Sequence, residues 1–274
     1  MTHAVLGRGP SYLNLILRGA RRFLLPLVPL LAVIVIWWLV AEYHLQNSRI
    51  YPTPPDVGDH LLTILAGKDS APGLGSSYSN LWVTLYRLGI AFLLAFGVGS
   101  ALGMVAGRIK HVFDFFDNIA WLVIAVPEVV WAFILVVVIG ISDSVPITAV
   151  ALLLSGVVFI NVAEGAKSFS TELSDMSASY KASTWQRIWD VYLPQAVPYL
   201  LGSARIAFAI GVKLIVIAEI VGLSRGVGFQ ISYWHTRIQV APIVAWGIVL
   251  VVVVLLVEYL IFAPLESRMQ RWKR

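Results

Sequence analysis

Four ionisable side chains, Glu128, Arg205, Lys213 and Glu219, lie inside long apolar runs of this 274-residue sequence. A charge in hydrocarbon is expensive, so each should face protein or water. The chemistry open to them is ion recognition along a solute path, or pairing that locks one helix to another. Lys213 and Glu219 are six apart and do not share a helix face well, which points to cross-helix partners such as Glu128. A path lined by Glu128 and Lys213 and a purely structural pairing both stay open. Catalysis has no comparable set. The absence of cysteine removes disulfides, thiolate metal sites and cysteine nucleophiles together. His3, His44, His60, His111 and His235 are scattered, with none at metal-ligand spacing, so no metal site is expected. There is no Gly-x-x-x-x-Gly-Lys-Ser/Thr phosphate loop and no Gly-x-Ser-x-Gly elbow. The chain reads as non-catalytic, with no cofactor of its own.

A second group of residues fills the polar stretch from Thr171 to Arg205. Thr171 can cap a short helix whose first turns carry Glu172 and Asp175, the charge sign a helix N-terminus favours. Ser183 with Gln186 three residues later reads as a capping box that opens a second short helix. On that helix Trp185, Ile188, Trp189 and Tyr192 form one apolar stripe opposite Gln186, Arg187 and Asp190. Pro194 should stop it, and Pro198 is placed to start the next, membrane-entering helix. Two short helices with one greasy and one polar face suit docking on a partner or lying on a lipid surface, and periodicity does not choose.

The arrangement of residues resembles the coupling loop of ABC-importer permeases of the nitrate, sulfonate and taurine type. The matching positions are Ala182-Ser183, Trp185, Trp189, Leu193-Pro194 and Pro198, with Arg205 beyond them. Asp175 stands where the family has glutamate, Ser177 where it has alanine, and Lys181 where it has a glycine that permits a positive φ. A lysine there costs on the order of 1 kcal/mol if the bend is kept. Thr84-Leu-Tyr-Arg87, Glu219 followed by Gly226-Val-Gly228, and the proline-rich Tyr51–Pro55 are similar to further family features, and the resemblance covers about Tyr51 to Trp272. It implies a type I ABC importer transmembrane fold with cytoplasmic coupling helices between spans 4 and 5. Asp175, Ser177, Lys181, Ala182, Ser183, Trp185, Arg187, Ile188, Trp189, Tyr192 and Pro194 would then meet a cytoplasmic ATPase dimer that holds ATP and magnesium. The implied partners are a second permease copy, like or unlike, and a periplasmic or lipid-anchored solute-binding protein.

The elements that must position these residues are membrane spans. The composition is 59% hydrophobic and 13% charged, where a soluble domain is nearer a quarter charged. An all-α membrane protein, a polytopic bundle of six transmembrane helices, is expected. The spans are placed at about Phe23–Val40, Leu81–Ala106, Ile119–Gly140, Pro146–Val162, Tyr199–Val221 and Ile243–Phe262. A cleaved signal peptide is the rival for the first, with Leu39-Val40-Ala41 as a poor cleavage site. The layout is a cytoplasmic segment at 1–22, a first anchor at 23–43 and an outer loop at 44–80 with a short amphipathic piece at Val57–Ala66. A core at 81–264 with its coupling loop at 164–198 follows, then a basic cytoplasmic tail at 265–274. Gly99, Gly103 and Gly107 make two overlapping GxxxG patterns, and Ser203, Ala207 and Gly211 a second small-residue face, both suited to close helix approach.

With both termini in the cytoplasm, the inner segments collect Arg8, Arg18, Arg21, Arg22, Arg108, Lys110, Lys167, Lys181, Arg187, Arg268, Arg271, Lys273 and Arg274. The outer segments hold only Arg49, Lys68, Arg225 and Arg237. That bias orients a multi-pass protein of a bacterial inner membrane and places the coupling loop inside. It also accounts for the net charge of +5 without nucleic acid as a partner; membrane lipid takes that place. Two rival functions stay in view: a secondary transporter, and a non-transporting scaffold that docks a cytosolic partner.

Overall fold

The computed structural model describes residues 27–43, 49–68, 75–221 and 223–270, so the expected 1–22 segment and the last four residues of the basic tail lie outside the described part. All regular structure within it is helical.

Helix α1 (Leu27–Tyr43) is apolar and largely exposed. It is tied to the next segment by Trp37, whose indole N–H donates to the Pro52 carbonyl at 2.9 Å. Helix α2 (Pro54–Leu65) is the amphipathic piece expected in the outer loop. It begins three residues earlier than predicted, because Pro54 takes the first helical position and Thr53 pairs through its N–H and hydroxyl with Asp56 at 2.8 Å. Its buried Val57 and Ile64 join a small core with Val227, Ala241, Ala245 and Trp246.

Three long helices make the main core. α3 (Ser77–Ala106) lies along α6 (Ser144–Lys167), and α9 (Leu193–Ile220) packs on both. Lipid offers apolar side chains no driving force to associate, so backbone approach and van der Waals contact must supply it. Gly99, Gly103 and Gly107 face α6 so closely that a Cβ would fall 2.7 Å from the Ser155 carbonyl oxygen, 2.9 Å from that of Phe159 and 2.4 Å from the Ala166 Cβ, respectively. On α9, Ser203 and Ala207 are buried, and a Cβ on Gly211 would stand 3.0 Å from the side-chain tips of both Leu88 and Leu154.

Two expectations are corrected by backbone chemistry. The region predicted as a single span at Ile119–Gly140 is two helices, α4 (Lys110–Ala125) and α5 (Glu128–Ile139), bent by 91°. Pro127 forces Val126 into an extended conformation (φ −77°, ψ 124°) and starts the second helix afresh. In contrast, Pro194 stops nothing. A short α8 (Thr184–Gln186) runs through a π turn at Arg187–Tyr192 directly into α9, giving one helical rod of 37 residues from Thr184 to Ile220. Pro194 sits in the first turn after the π segment, where a missing N–H is tolerated, and Pro198 lies inside the helix.

α7 (Thr171–Ser179), α10 (Val227–Thr236) and α11 (Val240–Val257) complete the order; α11 passes through a π turn at Glu258–Phe262 into α12 (Ala263–Gln270). Among the described residues, four helices are long and apolar enough to cross a bilayer, or five if the bent pair is counted as one span. The expected first span begins outside the described residues, and its described part, α1, has 17 residues.

Candidate functional site

At one end of the long rod is a built surface. Ser170, one residue before the predicted cap Thr171, caps α7 by accepting from the Leu173 N–H at 3.3 Å. The helix ends in a Schellman arrangement: the Lys181 N–H donates to the Ala178 carbonyl (2.9 Å) and the Ala182 N–H to that of Ser177 (3.0 Å). Lys181 has φ +54°, so the bend that glycine would favour is kept with lysine in it. The predicted capping box follows. The Ser183 N–H donates to Gln186 Oε1 at 2.9 Å, and the Gln186 N–H to Ser183 Oγ at 3.3 Å. Trp185 and Trp189 are then 68% and 50% exposed with ring centroids 5.5 Å apart, and Ile188 is exposed beside them. Asp175 is also exposed, whereas Ser177 and Ala182 are half-buried and the Ser177 hydroxyl donates to the Ser174 carbonyl.

Tyr192 leaves the predicted stripe. The π turn inserts an extra residue per turn and rotates it inward. Its ring stacks on Phe169 and lies under the Arg108 guanidinium, 4.6 Å away. Arg187 Nη2 donates to both the Tyr192 hydroxyl and Ser174 Oγ at 3.2 Å, which clamps α7 to the rod. Gln195 Oε1 accepts from the Ser170 N–H at 2.8 Å and closes the loop. Pro194 borders a cavity of about 680 Å³ that also takes in Pro198, Leu201, Gly202 and Arg205.

At the rod's other end Glu219 is fully buried. It accepts from Arg87 Nη1 at 2.7 Å, from the Thr84 hydroxyl at 2.8 Å and from the Gly228 N–H at 2.9 Å. Thr84 Oγ1 accepts in turn from the Val227 N–H (2.8 Å), and Asn80 Oδ1 from the Gly226 N–H (3.0 Å). Arg87 also donates to the Arg225 carbonyl at 2.9 Å and pairs through Nη2 with Asp143. The glycines of Gly226-Val-Gly228 are dictated by this approach. Gly226 has φ +111°, a Cβ there would fall 2.4 Å from the Glu219 carboxylate, and one on Gly228 would fall 2.2 Å from the Val216 carbonyl oxygen.

The four intramembrane charges therefore separate. Glu219 is joined to α3, and Arg205 pairs across to Glu258 and Glu266 near the C-terminal end. Glu128, half-buried at the start of α5, and Lys213, exposed on α9, have no ion-pair partner among the described residues. Asn80 and Asp143 were not singled out by the sequence reading. Their signal is weak, since each is an ordinary polar residue near a helix start and meets its partners from far along the chain.

The arrangement offers an exposed aromatic surface, a continuous helical rod and a buried ion-paired cluster at the far end. The chain matches the model of the family described as "binding-protein-dependent transport system inner membrane component" over residues 99–271. It is 26% identical to the taurine transport system permease protein of Escherichia coli, over 92% of this chain and 91% of that one. It is 25% identical to the nitrate import permease protein of Synechocystis, over 88% and 87% of the two chains. The fold is similar to that of an inward-facing MetNI methionine ABC transporter structure, with a TM-score of 0.58 at 20% identity, covering 71% of this chain and 95% of that one. The chain belongs to the family of binding-protein-dependent transport system inner membrane components, and it is the permease subunit of an ABC importer.

Proposed function

We propose that this permease carries a small solute bearing an anionic group, of the kind named in the taurine and nitrate relatives, inward by alternating access. The observation that carries the reading is the continuous rod from Thr184 to Ile220. It joins the exposed Trp185–Ile188–Trp189 surface to the Glu219 cluster over 37 residues, about 55 Å at 1.5 Å per residue. The hydrocarbon core is about 30 Å thick, so the rod crosses it and extends well beyond. The helix runs from one end to the other without a break, so a push on the aromatic surface would reach the Glu219 cluster along it. Two cytoplasmic ATPases, holding ATP and magnesium, would draw these surfaces together and turn the path outward. A binding protein would deliver solute there.

In this reading the protein has six spans, both termini and the coupling helices in the cytoplasm, and no catalytic residue of its own. One copy gives half a path, so a second permease completes it. Asp175, Ser177 and Lys181 depart from the family pattern, which supports a weaker-coupling role in an unlike pair; a complex holding this permease twice with full transport contradicts that role. Membrane vesicles bearing the full complex test the whole reading with labelled taurine and nitrate as probes. Uptake that needs both ATP hydrolysis and the binding protein is expected. Uptake driven by an ion gradient without ATP identifies a secondary transporter instead.

A further inference from the structure

The uncovered side of α9 carries Gly202, Ile206, Ala209, Lys213 and Ile220, all exposed. Their spacings of four, three, four and seven residues keep them on one face of the helix, away from the side where Ser203, Ala207 and Gly211 pack on α3 and α6. At its Gly202 end this face opens into the cavity of about 680 Å³. Arg205 is exposed on the same side but is paired with Glu258 and Glu266, so Lys213 is the charged residue of this side that has no ion-pair partner among the described residues.

Lipid is a poor neighbour for it. Lys213 lies seven residues, about 10 Å, from the nearer helix end at Ile220. Its Cα–Cβ bond tilts toward the helix N-terminus, which aims the ammonium deeper rather than toward that end. Snorkelling to the near surface is therefore opposed by helix geometry. Among the described residues, pairing is also closed. Glu219 is committed to Arg87, Asp143 to Arg87, and Glu258 and Glu266 to Arg205. Glu128 is uncommitted on α5, which packs against α9, yet it stands outside ion-pair distance of Lys213.

We propose that Lys213 is a fixed cation on the wall of a water-filled solute path, where its ammonium binds the carboxylate, sulfonate or nitrate-type oxygens of the passing solute. This deepens the importer reading and rests on it. The stripe Gly202–Ile206–Ala209 is then the wall leading from the site to the cavity. An ammonium in a narrow path with low-dielectric walls raises the local concentration of anions and repels cations, which sets specificity after the binding protein has let go.

The cysteine-free chain makes the test clean. Ala209→Cys places a thiol one helical turn from Lys213, on the side toward which the ammonium points. Vesicles bearing the assembled complex are treated with an anionic and a cationic methanethiosulfonate reagent of similar size. The expected result is labelling by both, with the anionic reagent favoured by about tenfold for a single charge some 5–6 Å away in a partly aqueous setting. Lys213→Gln should erase that preference and Lys213→Arg restore it. Absence of labelling would overturn the proposal, because the face would then be covered by lipid or protein. A preference unchanged by Lys213→Gln would overturn it too, as would one that appears only in Glu128→Gln, which would show Lys213 paired across the assembly. ATP-dependent uptake in the same vesicles reports the importer reading separately, since labelling requires no turnover.

Discussion

Removing the Glu219 carboxylate should unlock the far end of the rod. In Glu219→Gln the guanidinium of Arg87 loses its ionic partner in a site where Arg87 is 2% and Glu219 0% exposed. Breaking one side of a buried pair costs about 3–5 kcal/mol. Arg87 keeps the Arg225 carbonyl and Asp143, whose side chain is 70% exposed and already partly hydrated, so the lower end, about 3 kcal/mol, applies. For a chain of this size that corresponds to roughly 6–12 °C in the unfolding midpoint. The assay is thermal unfolding of the complex in mild detergent, followed by circular dichroism of its helices. Arg87→Met should cost a similar amount. The double variant should cost less than the sum by at least about 1 kcal/mol, because each single change leaves the other group stranded. Single costs below about 1 kcal/mol, or strict additivity, would show that Glu219 is held by its hydrogen bonds alone and that the ion pair locks nothing.

Gly103→Val should separate α3 from α6 and cost about 1–3 kcal/mol, since its Cβ would stand 2.9 Å from the Phe159 carbonyl oxygen. Gly97→Ala, with nothing within 4 Å of the added carbon, should keep or slightly raise the midpoint, because alanine favours the helix over glycine. Equal effects from the two would refute the close-approach account. Lys181→Gly should relieve the strain of φ +54° by about 1 kcal/mol and slow amide exchange at Lys181 and Ala182, with coupling kept or improved. A sharp loss of transport would show that the lysine makes a contact of its own. Trp185→Ala with Trp189→Ala should detach the ATPase while leaving the midpoint within about 0.5 kcal/mol of the parent, since both rings are exposed. Retained assembly would assign that surface to lipid.

The local parts of this architecture were legible because their causes are local. The Ser183–Gln186 capping box is closed within four residues, and the Gly99–Gly103–Gly107 ridge announces a close approach by its own spacing. The bend at Lys181 was legible as a conflict between side chain and φ. What failed was continuity. Pro194 was read as a stop because an α-helix loses a bond there, but a π turn just before it changes the register and the rod runs on. Ile119–Gly140 was read as one span, yet Pro127, with Val126 extended before it, breaks the run into two helices at 91°. The Glu219 cluster was half legible. The residue and its glycines were marked, but their partner Arg87 is 132 residues away, and no periodicity reports which helices meet.

The most direct test of the account is the subunit composition of the complex recovered through a tag on this chain from gently solubilised membranes. The account predicts two permease chains with two copies of an ATP-hydrolysing subunit, lost together with transport when Trp185 and Trp189 are replaced. Recovery of this chain without any nucleotide-binding partner, under conditions that keep other ABC importers intact, would contradict it.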